Sequence, residues 1–155
     1  MDPTDDRASS MQTRRAEADD IAHLAPLFDA YRAFYGQPSD IARADAFLRE
    51  RLARGESALL LAERGHDVLG FTQLYPLFSS VRTARMWLLN DLFVIDTARR
   101  QGVARALLDA AAAFAREQGA VGLMLETGRD NAPARALYRA TGWSEDATQW
   151  YSLPL

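Results

Sequence analysis

The stretch Arg99-Arg100-Gln101-Gly102-Val103-Ala104-Arg105 follows the apolar run Leu92-Phe93-Val94 and opens a strongly helical pattern. The first N–H groups of a helix have no partners within it, and the aligned peptide dipoles add partial positive charge at that end. Such a terminus is a ready site for phosphate. Gly102 lets a ligand approach the backbone, Ala104 keeps the first turn narrow, and Arg99, Arg100 and Arg105 add charge around the same mouth. Taken alone, the segment fits an ordinary strand–turn–helix crossover with a solvated basic face equally well. It contains neither a nucleotide P-loop nor a dinucleotide Gly-x-Gly-x-x-Gly fingerprint.

A second chemical signal lies just upstream. Asn90 and Asp91 interrupt the apolar run from Trp87 to Val94, where polar side chains need a reason. Successive side chains of a strand point to opposite faces, so the two share a side only if a bulge intervenes. Asp91 reads either as a proton acceptor or as a buried carboxylate with structural partners. Aromatic residues cluster at Tyr31, Phe34 and Tyr35, beside Gln37, and aromatic walls attract cations. Tyr31 and Phe34 fit a buried helical stripe, whereas Tyr35, at the helix end, is the better cleft residue. Tyr75 and Trp87 are further candidates for an acceptor site. Ser79-Ser80 lacks the glycines of a nucleophile elbow. His23 and His66 have no partners at metal spacing and no cysteine is present, so no metal site is expected.

The elements that must hold these residues follow from periodicity. Met11 to Ala16 reads as an edge strand, and Asp19 or Asp20 caps a helix that carries Ile21, Leu24, Leu27, Phe28 and Tyr31. Ser39 caps a second helix, with Ile41, Phe47, Leu48 and Leu52 inward, ending at Gly55. Ala58 to Glu63 and Val68 to Tyr75 form a hairpin, 76–83 a loop, and Ala84 to Val94 a long central strand. A helix from Gly102 to Gln118, a strand over 121–127, a helix over 132–141 and a final strand over 149–153 complete the pattern. Hairpins first and strand–helix units later imply an α/β (α+β) domain, a mixed sheet with helices on both faces. No repeat or linker divides the chain, so residues 11–155 are expected to form one domain after a polar, flexible segment at 1–10.

Two segments resemble the GNAT superfamily of acyl-CoA-dependent N-acetyltransferases. Arg99-Arg100-Gln101-Gly102-Val103-Ala104 is similar to its Arg/Gln-x-x-Gly-x-Gly/Ala signature, and residues 131–143 are similar to its Asn-x-x-Ala-x-x-Leu-Tyr-x-x-x-Gly-Phe segment, with Trp143 for the phenylalanine. The resemblance runs from about Met11 to the C-terminus. It implies a mostly antiparallel sheet of six to seven strands, acetyl-CoA as co-substrate, and direct attack of an amine on the thioester. Leu92, Phe93 and Val94 would then meet the pantetheine arm and supply an oxyanion donor. Residues 99–105 would cradle the pyrophosphate, with Asn131 and Ala134 also on the cofactor side. Tyr138 would protonate the departing thiolate: a phenol with a pKa of about 10 is protonated at neutral pH.

Tyr31-Arg32-Ala33-Phe34-Tyr35 and residues 70–94 resemble the polyamine and histone acetyltransferase-like subgroup most closely. Asn90 stands where that subgroup carries a carboxylate, so Asp91 or a water chain must take the proton. The acceptor implied is a small primary amine, polyamine-like or amino-acid-like. A protein lysine or N-terminus as acceptor, or a CoA-binding module without turnover, are the alternatives. The resemblance also implies a homodimer, through sheet edges or Trp150-Tyr151-Ser152-Leu153. A net charge of −3 argues against nucleic acid as partner. The apolar runs are too short for a bilayer and the acidic start is no signal peptide, which places the expected enzyme in the cytoplasm.

Overall fold

The computed structural model describes residues 10–155; all but the last residue of the segment 1–10, expected to be flexible, lies outside them. Strand β1 (Met11–Arg15) leads through a 3-10 turn at Ala18–Asp20 to helices α1 (Ile21–Phe34) and α2 (Ile41–Ala53). Strands β2 (Ala58–Arg64), β3 (Asp67–Ser79) and β4 (Ala84–Val94) follow, then a 3-10 turn at Asp96–Ala98 and helix α3 (Val103–Glu117). A short β5 (Leu123–Met124) and helix α4 (Ala132–Ala140) close the order. The five strands lie in sequence order; β1 to β4 pair antiparallel and β5 joins β4 in parallel.

Alternation along β2 explains how one sheet supports two cores. Leu59 and Leu61 meet Ile21, Leu24 and Phe28 of α1 and Ala44 and Leu48 of α2. Ala58 and Leu60 point the other way, towards Leu108, Ala111 and Phe114 of α3. A strand covered on both faces is apolar throughout, as its sequence is.

Local signals set the helix ends. Asp40, not Ser39, caps α2 by accepting a bond from the Arg43 amide at 2.9 Å. Ser39 instead donates to Asp29 at 2.6 Å. Near α1, Glu17 and Asp20 close a capping box around the 3-10 turn.

Three expectations for the sheet are corrected. Residues 76–79 continue β3 instead of forming a loop: β2 pairing stops at Leu74, so β3 is an edge there and Pro76 sacrifices no central hydrogen bond. The strand expected over 121–127 shrinks to Leu123–Met124 because β4 and β5 diverge beyond Leu88 and Met124. The strand expected over 149–153 is absent, and the described residues hold five strands where six to seven were expected. A strand needs a neighbour, and among the described residues none forms a ladder with 149–153: Trp150, Tyr151 and Leu153 are exposed. Helices do flank both faces of the sheet, as expected.

Gly70 lies where β3 passes closest to β4. A Cβ there would sit 2.5 Å from the Phe93 carbonyl oxygen, a backbone atom that cannot swing aside. Gly70→Ala is therefore expected to destabilise the fold by about 1–3 kcal/mol, read as a lower melting temperature. An unchanged melting temperature would mean that the two strands separate at little cost.

Candidate active site

Beyond Leu88 the β4 backbone loses β5, and a cavity of about 430 Å³ opens in the gap. Leu92, Phe93 and Val94 line one side, Leu125, Glu126 and Thr127 the other, and Ala98, Arg99, Arg100, Gly102, Val103, Ala104 and Arg105 the mouth. Gly102 caps α3 in the left-handed region at φ 81° and offers no side-chain acceptor, so the first-turn amides keep their N–H groups unspent. Nothing lies within 4 Å of where a Gly102 side chain would begin. The Arg100 backbone is left-handed too, at φ 60°. Asn131, Ala134, Leu137 and Tyr138 of the α4 segment complete the wall. Burial pushes the Tyr138 phenol up from its ordinary value, with a smaller push from Tyr35.

A second cavity, of about 760 Å³, lies between the same β4 strand and helices α1 and α2. The two share Tyr31, Tyr35, Asn90, Glu126 and Thr127 and so meet at those residues. Asn90 and Asp91 reach this junction through a bulge: Gln73 faces Asp91 and Leu74 faces Leu89, leaving Asn90 as the extra residue. The bulge supplies the condition under which both side chains face one cavity. Asp91, 2 % exposed, accepts from Gln73 Nε2 at 2.5 Å and from Asn90 Nδ2 at 2.8 Å. Burial pushes its carboxyl up, and the bonds from Gln73, Asn90 and Tyr31 oppose that push. The Tyr31 hydroxyl donates to the Asn90 carbonyl at 3.2 Å, and burial together with Asp91 raises its phenol strongly. Tyr75, on the neighbouring strand, is pushed up to about 12 by burial and then by Asp91.

Two expected site residues stand elsewhere. Trp87, 6 % exposed, packs edge-on against Phe114 in the α3-side core and lines neither cavity. Gln101 turns away from the gap: its amide donates to the Thr97 carbonyl at 2.8 Å and its oxygen accepts from Arg64 at 3.3 Å. Phe34, read as core, is 71 % exposed and lines the smaller cavity. Conversely, Glu126, Thr127, Arg32 and Arg43 line the larger cavity without having been singled out. Glu126 and Thr127 had a signal: they follow the carboxyl end of a parallel strand where the sheet opens, and ligands collect at such ends.

The profile of the Acetyltransferase (GNAT) family matches residues 24–143 of the chain. The chain belongs to the GNAT family. An uncharacterized N-acetyltransferase of Bacillus subtilis, YhfO, is 48% identical over 136 residues, 88% of this chain and 91% of the relative. A probable acetyltransferase of Haemophilus influenzae is 37% identical over 67% of this chain and 72% of its own length. The crystal structure of a probable acetyltransferase superposes with a TM-score of 0.88 at 42% identity, covering 93% of this chain and 97% of that one. This GNAT protein is an N-acetyltransferase, and acetyl-CoA is the donor its family uses.

In this acetyltransferase the raised carboxyl of Asp91 has a consequence for stability. A folded-state pKa above the unfolded value means that the carboxyl's cost to stability builds as pH rises from the unfolded to the folded pKa and is complete above it. Asp91→Asn removes that cost, so the melting temperature at pH 7 should equal or exceed that of the wild type. Relative to Asp91→Asn, the wild type should gain stability as pH falls from the folded towards the unfolded pKa of this carboxyl. A large loss of stability in Asp91→Asn would show that the bonds from Gln73 and Asn90 outweigh desolvation.

Proposed function

We propose that the enzyme binds acetyl-CoA in the gap between β4 and β5 and transfers its acetyl group to a small primary amine held in the larger cavity. The observation that carries this reading is the meeting of the two cavities at Asn90, beside an unpaired strand edge and an uncapped helix start. The residues present fit the donor. The first-turn amides of α3 with Arg99, Arg100 and Arg105 receive the pyrophosphate, and the free side of residues 92–94 pairs with pantetheine as an added strand would.

Acetyl-CoA supplies an activated thioester. The amine nitrogen forms a bond to the carbonyl carbon, a backbone N–H of the 92–94 segment receives the developing oxyanion, and the carbon–sulfur bond breaks. Tyr138 hands its proton to the leaving sulfur, a role suited to a phenol kept protonated by burial. The proton lost by the amine passes to Asp91, directly or through water, while Asn90 holds the carboxylate in place. A carboxyl raised by burial is closer to neutrality and so a better match for an amine than an exposed one.

Thermal shift and thiol release test the assignment together. Acetyl-CoA should raise the melting temperature of the wild type and of Gly102→Ala, which suffers the same backbone strain as any non-glycine at that φ. Gly102→Glu should lose the shift, and a shift retained there would remove the cradle assignment. Tyr138→Phe should lower kcat by about a hundredfold with little change in acetyl-CoA affinity. Full turnover in that variant would mean another group serves the sulfur.

We also propose a homodimer in which residues 144–155 of one protomer lie along the outer edge of β5 in the other. Trp150, Tyr151, Leu153 and Leu155 are exposed on a segment without regular structure, and β5 ends the sheet. Sedimentation should give a dimer for the wild type and a monomer for Trp150→Asp/Tyr151→Asp. A monomeric wild type would overturn this.

A further inference from the structure

The larger cavity carries opposite charges on its two walls. Arg32 of α1 and Arg43 of α2 stand on the helical side; Asp91 and Glu126 stand on the sheet side, with Glu126 at the junction with the donor cavity. Phe28, Phe47 and Tyr75 also line the cavity, as apolar surface.

The arginines of α2 and of its C-terminal cap, Arg54, separate into two groups. Arg49 pairs with Asp45 at 2.6 Å, Arg51 with Glu56 at 2.6 Å and Arg54 with Glu50 at 3.1 Å, and none of these lines the cavity. Arg43, which does line it, makes no side-chain hydrogen bond or ion pair among the described residues; only its backbone is engaged, by Asp40. Arg32 is barely committed. It reaches Asp29 at 3.3 Å through one nitrogen, and that carboxylate already accepts from Ser39 at 2.6 Å and the Asp40 amide at 2.7 Å. Two guanidinium groups with unspent donors thus border a cavity that also holds the apolar faces of Phe28 and Phe47. A guanidinium has five N–H donors in a geometry matched to carboxylate. A polyamine would bring its second ammonium towards these cations, and like charges repel.

Building on the acetyltransferase reading of the site, we propose that the acceptor is an α-amino acid or similar small amine that carries a carboxylate and an apolar body. Its carboxylate lies against Arg43 and Arg32, its apolar part against Phe28 and Phe47, and its amino group against Asp91 and Glu126 at the junction. The nitrogen loses its proton to Asp91, directly or through water, and forms the bond to the acetyl carbon as the carbon–sulfur bond breaks. The carboxylate takes no part in bond making and serves recognition alone.

The test compares a set of apolar α-amino acids, each beside its carboxamide and its decarboxylated amine. Thiol release from acetyl-CoA gives kcat/KM, and calorimetry gives binding to the CoA-loaded enzyme. Acids should exceed their amides by about tenfold in kcat/KM, the worth of one hydrogen bond to a charged group. Arg43→Ala should bring that ratio close to one, whereas Arg49→Ala, altered on a paired arginine outside the cavity, should leave it as in the wild type. Amides or decarboxylated amines used as well as the acids would overturn the proposal and leave acetyl transfer intact. Acids that bind through Arg43 without thiol release from any amine would uphold the recognition and count against acetyl transfer. Acids that neither bind nor react would overturn the proposal.

Discussion

The divergence of β4 from β5 after Leu88 and Met124 leaves the backbone beyond it hydrogen-bonded to β3 on one side only. Unpaired N–H and C=O groups at the centre of a sheet are costly unless something else meets them. The gap persists because both strands are anchored elsewhere. The long β3–β4 ladder holds β4 to Val94, and backbone bonds from Val121 to Arg85 and from Trp87 to Gly122 hold the start of the β5 segment. The opening of the sheet therefore places one strand edge, one helix start and two cavities within the same few residues.

The bulge at Asn90 works in the same place. Without it, Asn90 and Asp91 would point to opposite faces and only one would reach the larger cavity. With it, Asp91 is buried among Gln73, Asn90 and Tyr31, and the phenols of Tyr31 and Tyr75 rise through their own burial first and through the nearby carboxylate second. The three titratable groups hold one another in register: a buried acid that resists ionising and two phenols that stay protonated beside it.

The chain announced the parts of this arrangement that are local. The α3 start at Gly102, the helix that follows Asn131 and the β2–β3 hairpin all follow from spacing over a few residues, and the structure has them. What failed depended on distant partners. Val121 to Thr127 has strand composition throughout, but its pairing stops where β4 turns away. Trp87 looked like a cleft aromatic, yet the pleat sends it towards Phe114. Phe34 matched the buried stripe of α1, but the stripe outruns the core by one turn and leaves the ring at the cavity. Arg43 gave no sign at all, because the missing ion pair that distinguishes it from Arg49 and Arg51 exists only in three dimensions.

Gln101 shows how a residue of the signature can matter without touching the cavity. The loop before α3 must hold Arg100 left-handed at φ 60° beside Gly102 at φ 81°. For a non-glycine residue that conformation costs about 1–2 kcal/mol. Local contacts offset the cost: Arg99 reaches Asp96 at 2.8 Å and the Val94 carbonyl at 3.3 Å, while Gln101 ties the loop to Thr97 and to Arg64 of β2. Braced at both ends, the turn presents its amides in a fixed direction, so little ordering remains to be done when an anion arrives. The glutamine of the motif thus acts on the backbone, and in the acetyl-CoA complex proposed above the backbone acts on the phosphate.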